Sequence, residues 1–344
     1  MTNSHKNIVL LADYKGFFGS KQKSVIYRGG MDIPKINQLF LEKGYEVKTM
    51  EISSIDYAYL QQKNPYIIYT SSEDKHNFYK SYIEDIVFDL EQRGFQLIPN
   101  YACLKAHNNK VAMELLRSRS GFDKIQSIQS NTYGCYEELL KEHIDKFPLV
   151  VKTASGAMSR GVAKAENKKE LLKVAKALSI SFDMKHDFKE ILRKVKYRHA
   201  YRKESFNRSK FITQNLIAGL ANDYKVLVYG NKAYVLYRGN RKNDFRASGS
   251  GKFNFVEDLP QGMLDYAYSI KEFFKVPHIS LDIGFDGTNF HLIEFQFIYF
   301  GTTTLEKSPH YFLWDKDKKI WSIIKETSDL EEVYVHSIID YIEQ

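Results

Sequence analysis

The chain has 344 residues, is 43% hydrophobic and 27% charged, carries a net charge of +8 and contains two cysteines. That composition suits a globular protein with a full core and two or three subdomains. It excludes a disulfide framework, a low-complexity chain and a membrane span, since no run approaches about 20 apolar residues.

Ile8 to Ala12 is too short for a signal peptide's apolar region, and Asp13 ends it. Cys103 and Cys135 have neither a CxxC spacing nor a regular partner pattern, so they read as reduced thiols of a cytoplasmic protein.

Asn7–Asp13 predicts a buried strand, Ile33–Lys43 a helix stopped at Gly44, and Tyr45–Ile52 and Pro65–Ser71 two more strands. Phe78, Tyr82, Ile83, Ile86, Val87 and Leu90 recur at helical spacing within Asn77–Arg93, and Phe95–Pro99 is a fourth strand. This β-α-β-β-α-β order implies a small α/β domain with a largely parallel sheet over residues 1–105. Gly16–Gly30 lacks GxGxxG spacing and reads as a loop that could close over a substrate.

A second segment, 106–210, opens with a helix near Asn109–Ser118 that Asn108 or Asn109 can cap. Strand Leu149–Lys152 runs into Thr153–Val162, a loop of small residues carrying Ser155, Gly156, Ser159 and Gly161. Backbone N–H groups of such a loop can approach an anion while Lys152 adds positive charge, although GK[ST] is absent and an ordinary β-turn would look the same.

Further on, Met184, Phe188, Ile191, Leu192 and Val195 mark an amphipathic helix with a packed face and a cationic face. Between Lys185 and Lys210 there are ten Lys/Arg against three acids, so 10 − 3 leaves +7, and most of the basic charge is local. That face is either solvated or a docking surface for an anionic substrate or partner. Nucleic acid is disfavoured because the charges are not interleaved with exposed aromatics in a module pattern.

The third segment, 211–344, begins with strand Phe211–Ile217 and a hairpin, 224–238, turning at Gly230-Asn231. Arg246 then precedes Ser248-Gly249-Ser250-Gly251, and helix Leu259–Lys275 leads to the run 279–304. There two strands are joined at Asp286-Gly287, a dipeptide that favours tight turns. Glu294 and Gln296 share one face, and Asp282 joins them only if the register has the right parity, which a three-residue loop gives and a two-residue loop does not. Two carboxylates and an amide on one strip suit magnesium, a hard cation; the plainer alternative is a hairpin whose acids face water. Tyr299, Phe300, Tyr311, Phe312 and Trp314 follow, and either wall a substrate pocket or pack. The chain closes with a helix over Leu330–Ile342.

In this order the pieces from about 105 to 305 resemble the ATP-grasp superfamily, specifically its carboxylate–amine and amino-acid ligases. The resemblance implies an α/β (α+β) fold in which an N-terminal α/β domain precedes a two-subdomain ATP-grasp fold. It gives Lys110 and Lys152 as phosphate-binding lysines, and the loop with Ser155, Gly156, Ser159 and Gly161 as the flap over the triphosphate. Gln214, Asn215 and Ile217 fall on the strand whose backbone meets adenine, with Asp223 or Asn222 left for the ribose. Asp282 and Glu294 match the magnesium-binding acids, Gln296 stands where Asn is usual, and Arg246, Ser248 and Gly249 match the segment facing an acyl phosphate. The activity implied is ATP- and magnesium-dependent amide formation with release of ADP and phosphate, manganese being an alternative ion. Its partners would be small-molecule or peptide carboxylates and amines, some of them anionic. A small-molecule kinase of the same fold and a non-catalytic nucleotide-binding scaffold are the alternatives. Neither the substrates nor the oligomeric state follow from the resemblance.

Overall fold

The computed structural model describes residues 6–156, 161–220, 222–240 and 253–344. The chain divides into two units, one formed by Met1–His107 with Leu220–Gln344 and the other by Asn108–Gly219.

In the first unit β1 (Asn7–Ala12) is buried at all six positions. A strand with no polar side needs both faces covered, which is the situation inside a parallel sheet. Its neighbours are β2 (Glu46–Glu51), β3 (Tyr66–Tyr69) and β4 (Gln96–Ile98), in the order β2-β1-β3-β4 and parallel throughout. The sequence pattern passed directly from β2 to β3. The structure instead inserts a helix, Tyr57–Lys63, capped by Asp56, whose carboxylate accepts from Tyr59 N at 3.0 Å. Successive parallel strands cannot be joined by a hairpin, so a crossover is required there.

The second unit contains β5 (Ser130–Tyr133), β6 (Leu149–Thr153), β7 (Val162–Ala165) and β8 (Phe211–Asn215), antiparallel in the order β5-β8-β6-β7. Its core includes Leu149, Val151, Leu171 and Phe211, with Tyr133 stacked on Phe211 at 4.9 Å between ring centroids. The helix Met184–Tyr197 reverses the expected burial. Asp187 and Glu190 are its buried residues, whereas Met184, Phe188, Ile191, Leu192 and Val195 are exposed, from 45% to 75%.

The chain returns to the first unit with β9 (Asn222–Tyr229), β10 (Lys232–Gly239), β11 (Phe253–Asn254), β12 (His278–Phe285), β13 (Phe290–Gln296), β14 (Tyr311–Asp315) and β15 (Ile320–Ile324). These form an antiparallel sheet in the order β13-β12-β9-β10-β14-β15, with β11 also on β10. Tyr311 and Phe312 of β14 and the nearby Phe300 are buried, and Trp314 packs on Tyr268 and Trp321. Tyr311, Phe312 and Trp314 are therefore packing. Tyr299 and Phe300 instead help to line a cavity together with Phe18, Tyr69 and His278. Helix Leu330–Ile342 covers the unit and shares one core with Ile8, Leu10, Ile36, Phe40 and Leu227. The whole is a mixed α/β fold with parallel and antiparallel sheets, as the sequence predicts.

Two glycines give a contrast that can be measured. Gly161 and Gly219 both have positive φ, +71° and +75°, but a Cβ on Gly161 would lie 2.3 Å from Thr153 Oγ1, while nothing stands within 4 Å of one on Gly219. Gly219→Ala is expected to cost about 1–2 kcal/mol from φ alone. Gly161→Ala should cost at least about 1 kcal/mol more, because the short, β-branched Thr153 must move. Urea unfolding of the two variants measures both.

Candidate functional site

The two acids predicted to bind a metal depend on a register detail. The β12–β13 connection leaves 286–289 unpaired, because Phe285 pairs with Phe290. An even loop length continues as Gly284 opposite His291 and Ile283 opposite Leu292, which would set Asp282 against Ile293. The register shifts between Asp282 and Ile283, and Asp282 faces Glu294 instead, followed by Leu281 with Phe295 and Ser280 with Gln296. Ile293 is the extra residue of a β-bulge, and the bulge corrects the parity. Asp282, Glu294 and Gln296 thus share one face of the sheet.

The same face continues across β9 and β10. Asp282 pairs with Lys225, and Asp223, two residues earlier on β9, pairs with Arg238. Arg238 Nε donates to Asp223 Oδ1 at 2.5 Å, and its Nη2 lies 2.8 Å from Asp282 Oδ2. Lys225 Nζ stands 3.6 Å from Asp282 Oδ1 and donates to Ser280 Oγ at 2.9 Å. Like charges directly opposite on adjacent strands repel. Here two cations beside Asp282 offset that repulsion.

Their effect appears in the proton affinities. Burial alone would raise Asp282, yet Arg238 and then Lys225 overcome it and hold the carboxyl at about 2. Asp223 moves the other way, up to about 6, because burial and the charge of Asp282 outweigh Arg238. Asp282 is therefore ionised at neutral pH. Its Oδ1 is buried and accepts no hydrogen bond among the described residues. An ionised carboxylate opposite a second carboxylate, with Lys225 Nζ no closer than 3.6 Å to its Oδ1, fits a hard cation. No cluster of three acid, His or Cys ligands exists among the described residues. Magnesium fits that count, since it is commonly bound through one or two carboxylates, with waters and substrate phosphates completing the shell.

The second unit brings together most of the residues of the loop that the sequence singled out. Asn109 caps helix Lys110–Arg119, and the buried Lys110 is its first residue. Lys110 N donates to Ala154 O at 2.7 Å, its Nζ donates to Gly156 O at 3.1 Å, and Gly156 N donates to Asn108 Oδ1 at 3.0 Å. Lys152 is buried on β6 just before the loop, Thr153 N donates to Gly161 O at 2.9 Å, and Thr153 Oγ1 donates to Ser155 O at 2.7 Å. Lys110, Lys152, Ser155, Gly156 and Gly161 thus gather around one loop. Ser159, Arg246, Ser248 and Gly249 lie outside the described residues.

Gln214 and Asp223 each also bond within the protein. Gln214 is buried, and its Nε2 donates to Glu114 Oε1 at 3.0 Å, in a network where Glu114 also pairs with Arg117 and accepts from Ser130. It lies on an inner strand of the sheet, between Ser130 and Val150. Asn215 is exposed and Ile217 half-buried just beyond. Asp223 belongs to the Arg238 cluster, its Oδ1 accepting from Arg238 Nε. Arg238 and Lys225 were missed in the sequence, although each interrupts an apolar strand at the parity of the acids.

No protein-family model matches the sequence, and no curated protein matches it. Among solved structures it is similar to D-cycloserine synthetase DcsG, at 10% identity and TM-score 0.54 over 96% of this chain and 98% of that one. It is similar also to the ATP-grasp ligase PsnB complexed with a minimal precursor, at 12% identity and TM-score 0.50 over 99% and 100%. PsnB with its minimal precursor, Mg and ADP gives 12% and 0.50 over 99% of each chain. At these identities the likeness is one of fold.

The cluster makes two predictions. Arg238→Met should destabilise the protein by about 3–5 kcal/mol in denaturant unfolding, because it strands buried carboxylates. The second concerns pH. With its raised value the native Asp223 keeps, between about pH 4 and 6, a proton that the unfolded chain has lost. Stability carried by this group is therefore full below pH 4 and falls as pH rises to 6, by at most about 1.4 kcal/mol per pH unit. Asp282 contributes with the opposite sign, and only below about pH 4. Asp223→Asn should flatten the pH 4–6 slope of the unfolding free energy.

Proposed function

From the ATP-grasp fold that this chain adopts, we propose that it is an ATP- and magnesium-dependent ligase joining a carboxylate to an amine, with ADP and phosphate as products. The observation that carries the proposal is the cross-strand pair Asp282–Glu294, with Asp282 kept ionised by Arg238 and Lys225. A scaffold that had ceased turnover would have no use for a half-buried anion held in place by two cations. DcsG is a synthetase and PsnB a ligase, which supports the same reaction class here.

Asp282 and Glu294 would hold the magnesium, and Gln296 is a third oxygen on their strip. Bound there, the ion would supply charge neutralisation for the triphosphate. Lys110 and Lys152 hold phosphate oxygens. Ser155, Gly156 and Gly161 offer backbone donors to the same group, with Ser159 in the same loop. Gln214, Asn215 and Ile217 are assigned to the adenine edge, and Asp223 or Asn222 to the ribose. The substrate carboxylate oxygen attacks the γ-phosphorus, the β–γ bond breaks, and ADP leaves with the bond electrons. The amine then attacks the acyl carbon, phosphate departs, and the nitrogen loses a proton. Arg246, with Ser248 and Gly249, is assigned to the charge that develops on the acyl group. A guanidinium fork suits carboxylate and phosphate oxygens.

Two experiments test this. Glu294→Gln should fold as wild type and lose magnesium-dependent ATP turnover by about 100-fold or more, because the amide brings no charge to the cation; wild-type turnover would remove the metal assignment. With hydroxylamine replacing the amine, an acid substrate should yield hydroxamate and ADP, and Arg246→Ala should lower that rate about 10²–10³-fold with nucleotide affinity unchanged. A stable phosphorylated product without hydroxamate would make the protein a kinase.

A further inference from the structure

The helix Met184–Tyr197 is attached through its acids. Asp187 Oδ2 accepts from Asp183 N at 2.8 Å, and Glu190 accepts from Tyr201 OH at 2.5 and 2.6 Å, from Arg193 Nη1 at 2.7 Å and from Glu204 N at 3.1 Å. Its C-terminal end is closed by Lys194 Nζ, which donates to the carbonyls of Arg198 and Tyr201 at 3.0 and 2.9 Å. Both acids are 1% exposed. Turning the helix over to bury its apolar side would break the bonds from Tyr201 OH and Glu204 N to Glu190 and would expose both acids. The stripe Met184, Phe188, Ile191, Leu192, Val195 is therefore fixed outward, at the i, i+4, i+7, i+8, i+11 spacing of a single helix face.

Positions 184 to 195 span about 17 Å at 1.5 Å per residue, the length of a three-turn partner. At 3.6 residues per turn, Lys185, Lys189, Arg193 and Lys196 fall along one edge of this stripe, and all four are exposed. An outward apolar stripe of this kind marks an interaction site.

We propose that this face docks an acidic amphipathic peptide helix, its apolar side on the stripe and its carboxylates along the cationic edge. The charge pattern selects this occupant. A second copy offers cations to cations, since its own Asp187 and Glu190 are buried. An anionic bilayer would have to accommodate Asp183, exposed between Phe182 and Met184 at the end of the stripe and held ionised by its bond from His186 N. A peptide can stop short of that residue. The inference stands apart from the ligase reading and uses none of its residues.

The test uses the full chain and a fluorescein-labelled synthetic peptide of 16 residues, helical, with Leu on one face and Glu along its edge. Anisotropy should show saturable binding that weakens as salt screens the edge. Phe188→Ser with Val195→Ser should weaken it at least tenfold without changing Tm or ATP turnover. Lys189→Glu with Lys196→Glu should weaken the Glu peptide at least tenfold and gain at least tenfold for the same peptide carrying Lys in place of Glu, a swap that a structural role would not produce. Failure of the Glu peptide to bind, or equal binding before and after the swap, overturns the proposal. Capture by vesicles of phosphatidylcholine and phosphatidylserine that is lost with Phe188→Ser would assign the stripe to a membrane instead. A dimer in sedimentation that disappears with Val195→Ser would assign it to a second copy.

Discussion

Asp282 is a half-buried anion within an antiparallel sheet, and much of the first unit is arranged so that it can exist. An isolated carboxylate there would protonate, because the cost of burying its charge exceeds the cost of binding a proton. Arg238 and Lys225 reach it from β10 and β9, and Asp223 takes up the rest of Arg238. Four side chains on three strands must therefore keep one register. Slipping any of those strands by one residue would send its charges to the opposite face, into the apolar layer of Val226, Leu281 and Phe295. Electrostatics and strand pairing constrain one another here.

The bulge at Ile293 shows how local that constraint is. The connection at 286–289 is stabilised on its own terms, with Asp286 Oδ1 accepting from Thr288 N and Asn289 N at 2.8 and 2.7 Å and Oδ2 facing His291. Such a turn fixes an even count, and the even count is wrong for the acids. One extra residue repairs the parity without disturbing the turn. Leu292 stays in the core on one side of the bulge and Glu294 faces Asp282 on the other.

Much of this was legible in the sequence. The buried strand β1, the hairpin at Gly230-Asn231, the final helix and the acids inside apolar runs all follow from period and turn chemistry. What was not legible has physical reasons. Parity could not be read because a bulge leaves no periodic mark of its own. Arg238 and Lys225 carry no mark of their own in the sequence, and only pairing shows that they converge on Asp282. Gln214 carries no signal of which way its amide points; Glu114, one hundred positions earlier, decides it. For the helix Met184–Tyr197, an amphipathic period states that two faces differ but not which of them meets solvent. Its acids, outnumbered by lysines, turned out to be the anchoring face.

The first unit is interrupted in sequence by the whole of the second, and this bears on how the chain is made. One side of the β2-β1-β3-β4 sheet packs almost entirely within the first 104 residues, through Val9, Leu11, Ile67, Ile83 and Val87. The other side, with Ile8, Leu10 and Ile68, is covered by Leu227, Val335, Ile338 and their neighbours. During vectorial synthesis those apolar side chains leave the ribosome and wait, half-covered, while 108–219, a continuous piece with its own core, is produced and can close on itself. A transcript truncated after that segment would encode one complete unit and one open sheet. The last helix is the piece that finally seals the first strand.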